Sequence, residues 1–187
     1  LTERLIRRAR ADNVRVRVYL MTAWVCPFEG PTPPPKTLAY AEEIWQMGID
    51  EFAIADTIGH AHPLQVGRLF DLLGLRMDMR RLAAHLHDTQ ALGLANAAAA
   101  IAAGVRILDS SVGGLGGCPF APGAAGNLAT EDLVFMAYKM GFGTGIDYEK
   151  IWSLVYESEP LIGHRIGGRI RDWWESSCDL KPEVTQP

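Results

Sequence analysis

Four successive strand-then-helix units predict a parallel α/β fold for this chain, and three observations carry that class. Short apolar runs alternate with stretches of helical spacing, glycines fall where those helices should stop, and the chemically unusual residues all follow strands. A strand, a crossover helix and a further strand of the same sheet run parallel, with a right-handed connection.

The elements follow in order. Residues 2–10, Thr-Glu-Arg-Leu-Ile-Arg-Arg-Ala-Arg, read as the tail of a helix. An Arg-rich start also suits a transit peptide, but the acidic Glu3 and Asp12 within it favour the helix. The run 14–21, Val-Arg-Val-Arg-Val-Tyr-Leu-Met, reads as the first strand, 36–47 as a helix ended by Gly48, and 51–56 as the second strand. The stretch from Pro31 to Pro35 reads as a loop leading into the first of these helices, in preference to a polyproline ligand. Residues 63–73 form a helix ended by Gly74, Arg81-Leu-Ala-Ala84 leads a third strand into His85, and an Ala-rich helix covers 91–103 ahead of Gly104. A fourth strand, 105–111, opens into a glycine-rich loop, after which 129–140 make a helix stopped by Gly141.

Composition narrows the function classes. At 187 residues, 48% hydrophobic and with five Trp, the chain can bury a sizeable core and lacks the make-up of a disordered segment. A net charge of -4 and a pI near 5.7 give no general attraction for nucleic acid or anionic membrane, so neither is an expected partner. No apolar run reaches the roughly 18 residues of a membrane helix, and no signal peptide is visible. Cys26, Cys118 and Cys178 are too few and too scattered for a disulfide framework or a zinc knuckle. A reducing compartment is expected, bacterial cytoplasm or mitochondrial matrix, and not secretion.

In parallel sheets the chemistry gathers where strands exit into helices, and residues 26–35, 56–60, 85–89 and 113–127 all fall there. His85 and His87 are two apart, so on one strand their side chains share a face and can converge on one cation. Asp88 begins the polar turn that ends this strand. The Gly-Gly-Cys118-Pro-Phe-Ala loop places a thiol among glycines and prolines. It lacks the Gly-Lys-Ser/Thr ending of a phosphate loop and the Gly-x-Gly-x-x-Gly spacing, so no nucleotide site is expected. Asp56 can either cap the following turn or serve the site, whereas His60, His62 and Cys26 read as structural or loop residues. Trp173 and Trp174 read as packing or subunit contacts.

Taken together, the stretches Cys26-Pro-Phe-Glu-Gly30, Asp56-Thr-Ile-Gly59, His85-Leu-His-Asp-Thr89, Asp109-Ser-Ser-Val-Gly-Gly-Leu-Gly-Gly-Cys-Pro-Phe-Ala121 and Gly126-Asn-Leu-Ala-Thr-Glu-Asp132 resemble the 3-hydroxy-3-methylglutaryl-CoA lyase family. The likeness runs from about Val14 to Ile146 in one order and spacing. It implies a (βα)8 TIM barrel of which this chain holds only strands 5–8 and their helices. An eightfold barrel usually takes about 250 residues. On this reading residues 1–12 end a preceding helix, residues 163–187 form a C-terminal tail, and 1–187 are the C-terminal half of a catalytic domain.

The resemblance also implies roles. His85, His87 and Asn127 would bind a divalent cation, and a mixed nitrogen and oxygen shell suits Mg²⁺ or Mn²⁺. Cys118 would return a proton to the enolate of an acyl-CoA, and Asp56 would orient a ligand or substrate at the strand end. Thr57, Gly116 and Gly117 would contact the substrate, an acyl-CoA cleaved to acetyl-CoA and a 3-keto acid. A homo-oligomer, a dimer, is the expected assembly. The family's Arg-Asp pair on a first strand, supplying a fourth ligand and the base, has no counterpart before Val14, so the polypeptide by itself is expected to be inactive. Three other readings compete. A condensing enzyme of the 2-isopropylmalate or homocitrate synthase kind shares the His-x-His barrel but is not expected to carry the Gly-Gly-Cys-Pro loop. A zinc hydrolase would need further metal-binding His on later strands. A half barrel serving only as a folding or interaction unit is the non-enzymatic alternative.

Overall fold

A computed structural model describes residues 1–117 and 126–177. Four parallel strands form one sheet in the order β1 (Arg17–Leu20), β4 (Glu51–Asp56), β5 (Leu82–Leu86), β6 (Ile107–Asp109). The intervening helices are α2 (Pro34–Gln46), α3 (Pro63–Gly74) and α4 (Gly93–Ala102), preceded by α1 (Thr2–Ala11) and followed by α5 (Thr130–Lys139), α6 (Tyr148–Ile162) and α7 (Arg171–Ser176). The parallel α/β expectation therefore holds.

Differences at element ends have local causes. The first and fourth strands shorten to Arg17–Leu20 and Ile107–Asp109, because they are the outer strands of the sheet and have a ladder on one side only. Helix α3 runs through Gly74 and ends at Leu75, so the glycine is its last residue and not the stop. Pro34 opens α2, where the missing N–H of a first-turn proline is no loss. A short antiparallel pair, β2 (Val25–Cys26) with β3 (Gly30–Pro31), fills the loop after β1 and was not visible in the sequence pattern.

The sheet has two unlike faces. Val18 and Leu20 of β1, Phe52 and Ile54 of β4, Leu82, Ala84 and Leu86 of β5, and Leu108 of β6 turn toward the helices and join the main core. The alternate positions carry Arg17, Tyr19, Ala53, Ala55, Ala83, His85 and Asp109. Arg17 and Asp109 stand on opposite outer strands, three strand spacings or roughly 14 Å apart in a flat sheet. Their side chains nonetheless meet at 2.6 Å. The sheet must therefore curl toward this face, and the alanines of the two central strands leave the room for side chains to reach across. A concave inner face, with the other face packed against helices, is the arrangement of one arc of a barrel.

Residues 163–177 pack onto α5 and α6. Trp174 is buried and stacks on Trp152 of α6 at 5.4 Å with planes 6° apart, in a second core with Val134, Tyr148, Val155 and Ile166. Trp173 packs against Phe135, so both tryptophans make packing contacts.

Candidate metal centre

The exits of β5 and β6 are stitched together by residues 126–130. Leu128 N–H donates to the Leu86 carbonyl at 3.2 Å, Ser111 N–H to the Leu128 carbonyl at 3.0 Å and Thr130 N–H to the Ser111 carbonyl at 2.9 Å. Leu128 itself is buried in the main core and anchors the segment. Asn127 is thereby held in a bridge opposite His87. The rings of His85 and His87 lie 5.1 Å apart. All three ligands expected from the sequence thus come to one place.

Among the described residues, the hydrogen bonds of these side chains engage Nδ1 of each imidazole and Nδ2 of the carboxamide. His87 Nδ1 lies 2.9 Å from the backbone carbonyl of Asp56, which can only accept, so Nδ1 carries the proton and Nε2 keeps its lone pair. His85 Nδ1 faces Asp109 Oδ2 at 3.2 Å. Asn127 donates from Nδ2 to the Leu115 carbonyl at 2.9 Å, which leaves Oδ1 as an acceptor. Burial holds the His87 imidazole below its usual pKa, assisted by the neighbouring His85 and opposed by the Asp56 carbonyl, so it is neutral at physiological pH. Donor groups turned toward protein acceptors, with a lone pair left over on each side chain, are what a ligand set needs. Among the described residues no group of three or more His, Cys, Asp and Glu is placed to hold a metal ion.

The remaining expected site residues divide. Asp56 is almost fully buried, and its carboxylate accepts from His60 N–H and Ala61 N–H, both at 3.0 Å. Burial pushes its pKa up, while those two bonds and the nearby histidines pull the other way. It braces the loop before α3, and its carbonyl orients His87. Thr57 lends its hydroxyl to Thr22 N–H at 2.7 Å and so ties the β1 exit to the β4 exit. Gly116 has φ +100°, and a Cβ there would come within 2.6 Å of Asn127 Nδ2. Gly117 is exposed on the same loop. Cys118 lies outside the described residues. His60 and His62 are exposed, and His62 caps α3 together with Gln65, consistent with loop histidines. Beside Asn127 opens a cavity of about 400 Å³ lined by Asp88, Leu115, Gly116, Arg165 and Arg169.

Sequence reasoning missed three groups. Asp109 receives hydrogen bonds from Arg17 at 2.6 Å, Tyr19 at 3.1 Å and His85 at 3.2 Å. Burial would raise its pKa, but these three donors bring it below the ordinary carboxylate value. The signal was available in Val-Arg-Val-Arg-Val-Tyr: polar residues at every second place on a strand of a sheet covered by helices must line the inside. Glu131 and Asp132, at the start of α5, are also buried. Glu131 accepts from Gly113 N–H at 3.1 Å and Gly168 N–H at 2.5 Å, and Asp132 from Arg169 N–H at 2.8 Å and Ile170 N–H at 3.0 Å. The Arg169 side chain reaches Asp88 Oδ2 at 2.8 Å, while Asp88 Oδ1 accepts from Gly93 N–H at 2.8 Å. The Gly163 to Trp174 stretch thus clasps the β5 exit and the glycine-rich loop from outside.

A parallel α/β sheet with imidazole and carboxamide side chains gathered at the C-terminal ends of its strands is the class of arrangement in which parallel barrels carry their chemistry. Comparison with known proteins gives the family. The HMGL-like family model matches residues 2–156, and the chain belongs to this family, whose members are metal-dependent in general. The hydroxymethylglutaryl-CoA lyase of Pseudomonas mevalonii is 42% identical over 147 residues, 79% of this chain and 49% of that protein. That of Bacillus subtilis is 38% identical over 169 residues, 90% of this chain and 56% of that protein. The chain thus spans about half the length of the curated relatives it matches. Among solved structures, the HMG-CoA lyase of Bacillus subtilis superposes with a TM-score of 0.87 at 36% identity, covering 93% of this chain and 58% of that one. An HMG-CoA lyase from Acinetobacter baumannii, solved with coenzyme A and 3-methylmalate, gives 0.88 at 34%, covering 96% and 58%.

Proposed function

We propose that these residues are the C-terminal half of a divalent-cation-dependent carbon-carbon lyase, strands 5–8 of its barrel, which cleaves 3-hydroxy-3-methylglutaryl-CoA or a close analogue to acetyl-CoA and acetoacetate. The observation that carries the reading is the meeting of His85, His87 and Asn127 with Nδ1 of each ring and the Asn127 Nδ2 turned to protein acceptors. Similarity to lyases along most of the chain supports the substrate class, and the bound coenzyme A of the Acinetobacter relative supports an acyl-CoA.

A cation held by these three side chains, Mg²⁺ or Mn²⁺, would supply Lewis acidity to the 3-hydroxyl and carboxylate oxygens of the substrate. His85 and His87 serve as neutral nitrogen ligands and Asn127 as an oxygen ligand. As the bond between C2 and C3 breaks, its electron pair goes to C2 as the enolate of the thioester, the hydroxyl proton leaves to a base, and C3 becomes the ketone. Cys118 returns a proton to C2 to give acetyl-CoA. Asp56 is a positioning residue acting through His87. Thr57, Gly116 and Gly117 border the acyl group, Gly116 on the wall of the cavity beside Asn127. The basic side chains of Arg165 and Arg169 on the cavity wall, both ion-paired, suit an anionic substrate. The enzyme works as a dimer in bacterial cytoplasm or mitochondrial matrix; relatives include bacterial and mitochondrial forms, and among the described residues no helix is long and apolar enough to cross a membrane.

The test is cleavage of 3-hydroxy-3-methylglutaryl-CoA by this chain mixed with the N-terminal half of the Bacillus subtilis relative, followed as acetyl-CoA release. Release that needs Mn²⁺ or Mg²⁺ and falls at least 100-fold in Cys118→Ser, about the worth of one positioned proton donor, is expected. Release insensitive to a chelator and to that substitution would remove the proposal.

A further inference from the structure

We propose that Asp109 is a positioning residue that fixes the tautomer of His85, so that Nε2 offers a lone pair to the cation site, and that Arg17 fixes Asp109 in turn. The inference rests on the ligand role of His85 proposed above and deepens it.

The geometry leaves little choice of proton. Asp109 of β6 is the register partner of His85 of β5, so the two side chains leave the sheet on the same face. Oδ1 of Asp109 takes a hydrogen bond from Arg17 Nη2, and Oδ2 takes one from the Tyr19 hydroxyl. A guanidinium can only donate and an ionised carboxylate can only accept. Asp109 is therefore acceptor-only on both oxygens, and its contact with His85 Nδ1 requires the proton on Nδ1. In a free imidazole either nitrogen can hold that proton. Here the choice is made by a charged pair drawn from the two outer strands. The Tyr19 and His85 rings pack edge to face, centroids 5.7 Å apart at 86°. Glu51, 3.8 Å from Arg17, holds the guanidinium from its other side. Because Arg17 and Asp109 meet only when the sheet curls, the orientation of His85 is coupled to the curvature of the strands on either side of it.

Two-bond ¹H–¹⁵N correlation spectra of the intact, metal-free chain at a pH above imidazole titration read the tautomer of each histidine, with His85 identified by its loss in His85→Gln. The wild-type chain should show His85 with the proton on Nδ1. Asp109→Asn keeps the shape but alters the pattern. The amide oxygen must face Arg17, so its NH₂ group faces His85 and turns Nδ1 into an acceptor. His85 should then shift to the Nε2–H form, and Mn²⁺ affinity should fall roughly 10- to 100-fold. A wild-type His85 protonated on Nε2, which is read without any variant, or a tautomer unmoved by Asp109→Asn, would overturn the proposal. Inversion of the tautomer in a chain that binds no Mn²⁺ at all would support the positioning role and count against the metal reading alone.

Discussion

At the scale of single residues, a ligand is made as much by what holds its other end as by its own type. His87 illustrates the pH consequence. Burial lowers its pKa in the folded chain, so the unfolded chain binds the proton more readily. Its contribution to stability is complete above the ordinary imidazole pKa of about 6.5 and is lost as pH falls below that toward the lowered folded value. Urea midpoints measured between pH 8 and pH 5 should therefore drop more steeply for wild type than for His87→Gln; parallel curves would refute this. Gly116 gives a second prediction. Gly116→Ala forces a non-glycine residue to φ +100° and pushes a methyl group against the Asn127 amide, so Mn²⁺ affinity should fall about tenfold by isothermal titration, with a stability loss of about 1–3 kcal/mol. The neighbourhood of His85, His87 and Asn127 was legible in the sequence, the two histidines from their spacing and Asn127 from the resemblance of the motifs around it. Asp109 was not recognised, since its role depends on Arg17, 92 residues away, and on a curl of the sheet that no local pattern displays.

At the scale of elements, the C-terminal segment acts as a clasp. The carboxylates at the start of α5 accept four backbone N–H groups from two loops. Glu131 is fully buried, and burial pushes its pKa up, so the site tolerates its charge only because those N–H groups face it. Glu131→Gln presents an NH₂ group to one of two N–H donors and leaves that donor unsatisfied. A loss of about 1–3 kcal/mol in urea denaturation is expected, together with faster hydrogen exchange at Gly113 and Gly168. Unchanged exchange at both glycines would show that the clasp is not held by this residue. The alternation of strands and helices was readable because apolar period and glycine stops are local signals. The clasp was not, because it is written in buried acidic residues whose partners lie 18 and 37 positions away.

At the scale of the whole molecule, the sheet keeps two outer strands, β1 and β6, each hydrogen-bonded along one side among the described residues. Open parallel edges are templates for further pairing, and the polar inner face is only partly covered. The chain alone should therefore self-associate with concentration, seen by sedimentation velocity, and the complementary half of a relative should suppress this. A monodisperse monomer with one cooperative unfolding transition would argue instead that the arc is a finished unit. The TM-scores of 0.87 and 0.88 are to lyases of which this chain covers 58% in each case, as an arc of a larger barrel would.

The central claim, that two imidazoles and one carboxamide at neighbouring strand ends hold one cation, is tested most directly by Mn²⁺ binding to the intact chain, followed by electron paramagnetic resonance of the free ion. One site per chain is predicted, abolished by His87→Ala and by Asn127→Ala while circular dichroism stays unchanged. Binding that survives both substitutions, or no binding by the folded wild-type chain, would contradict it.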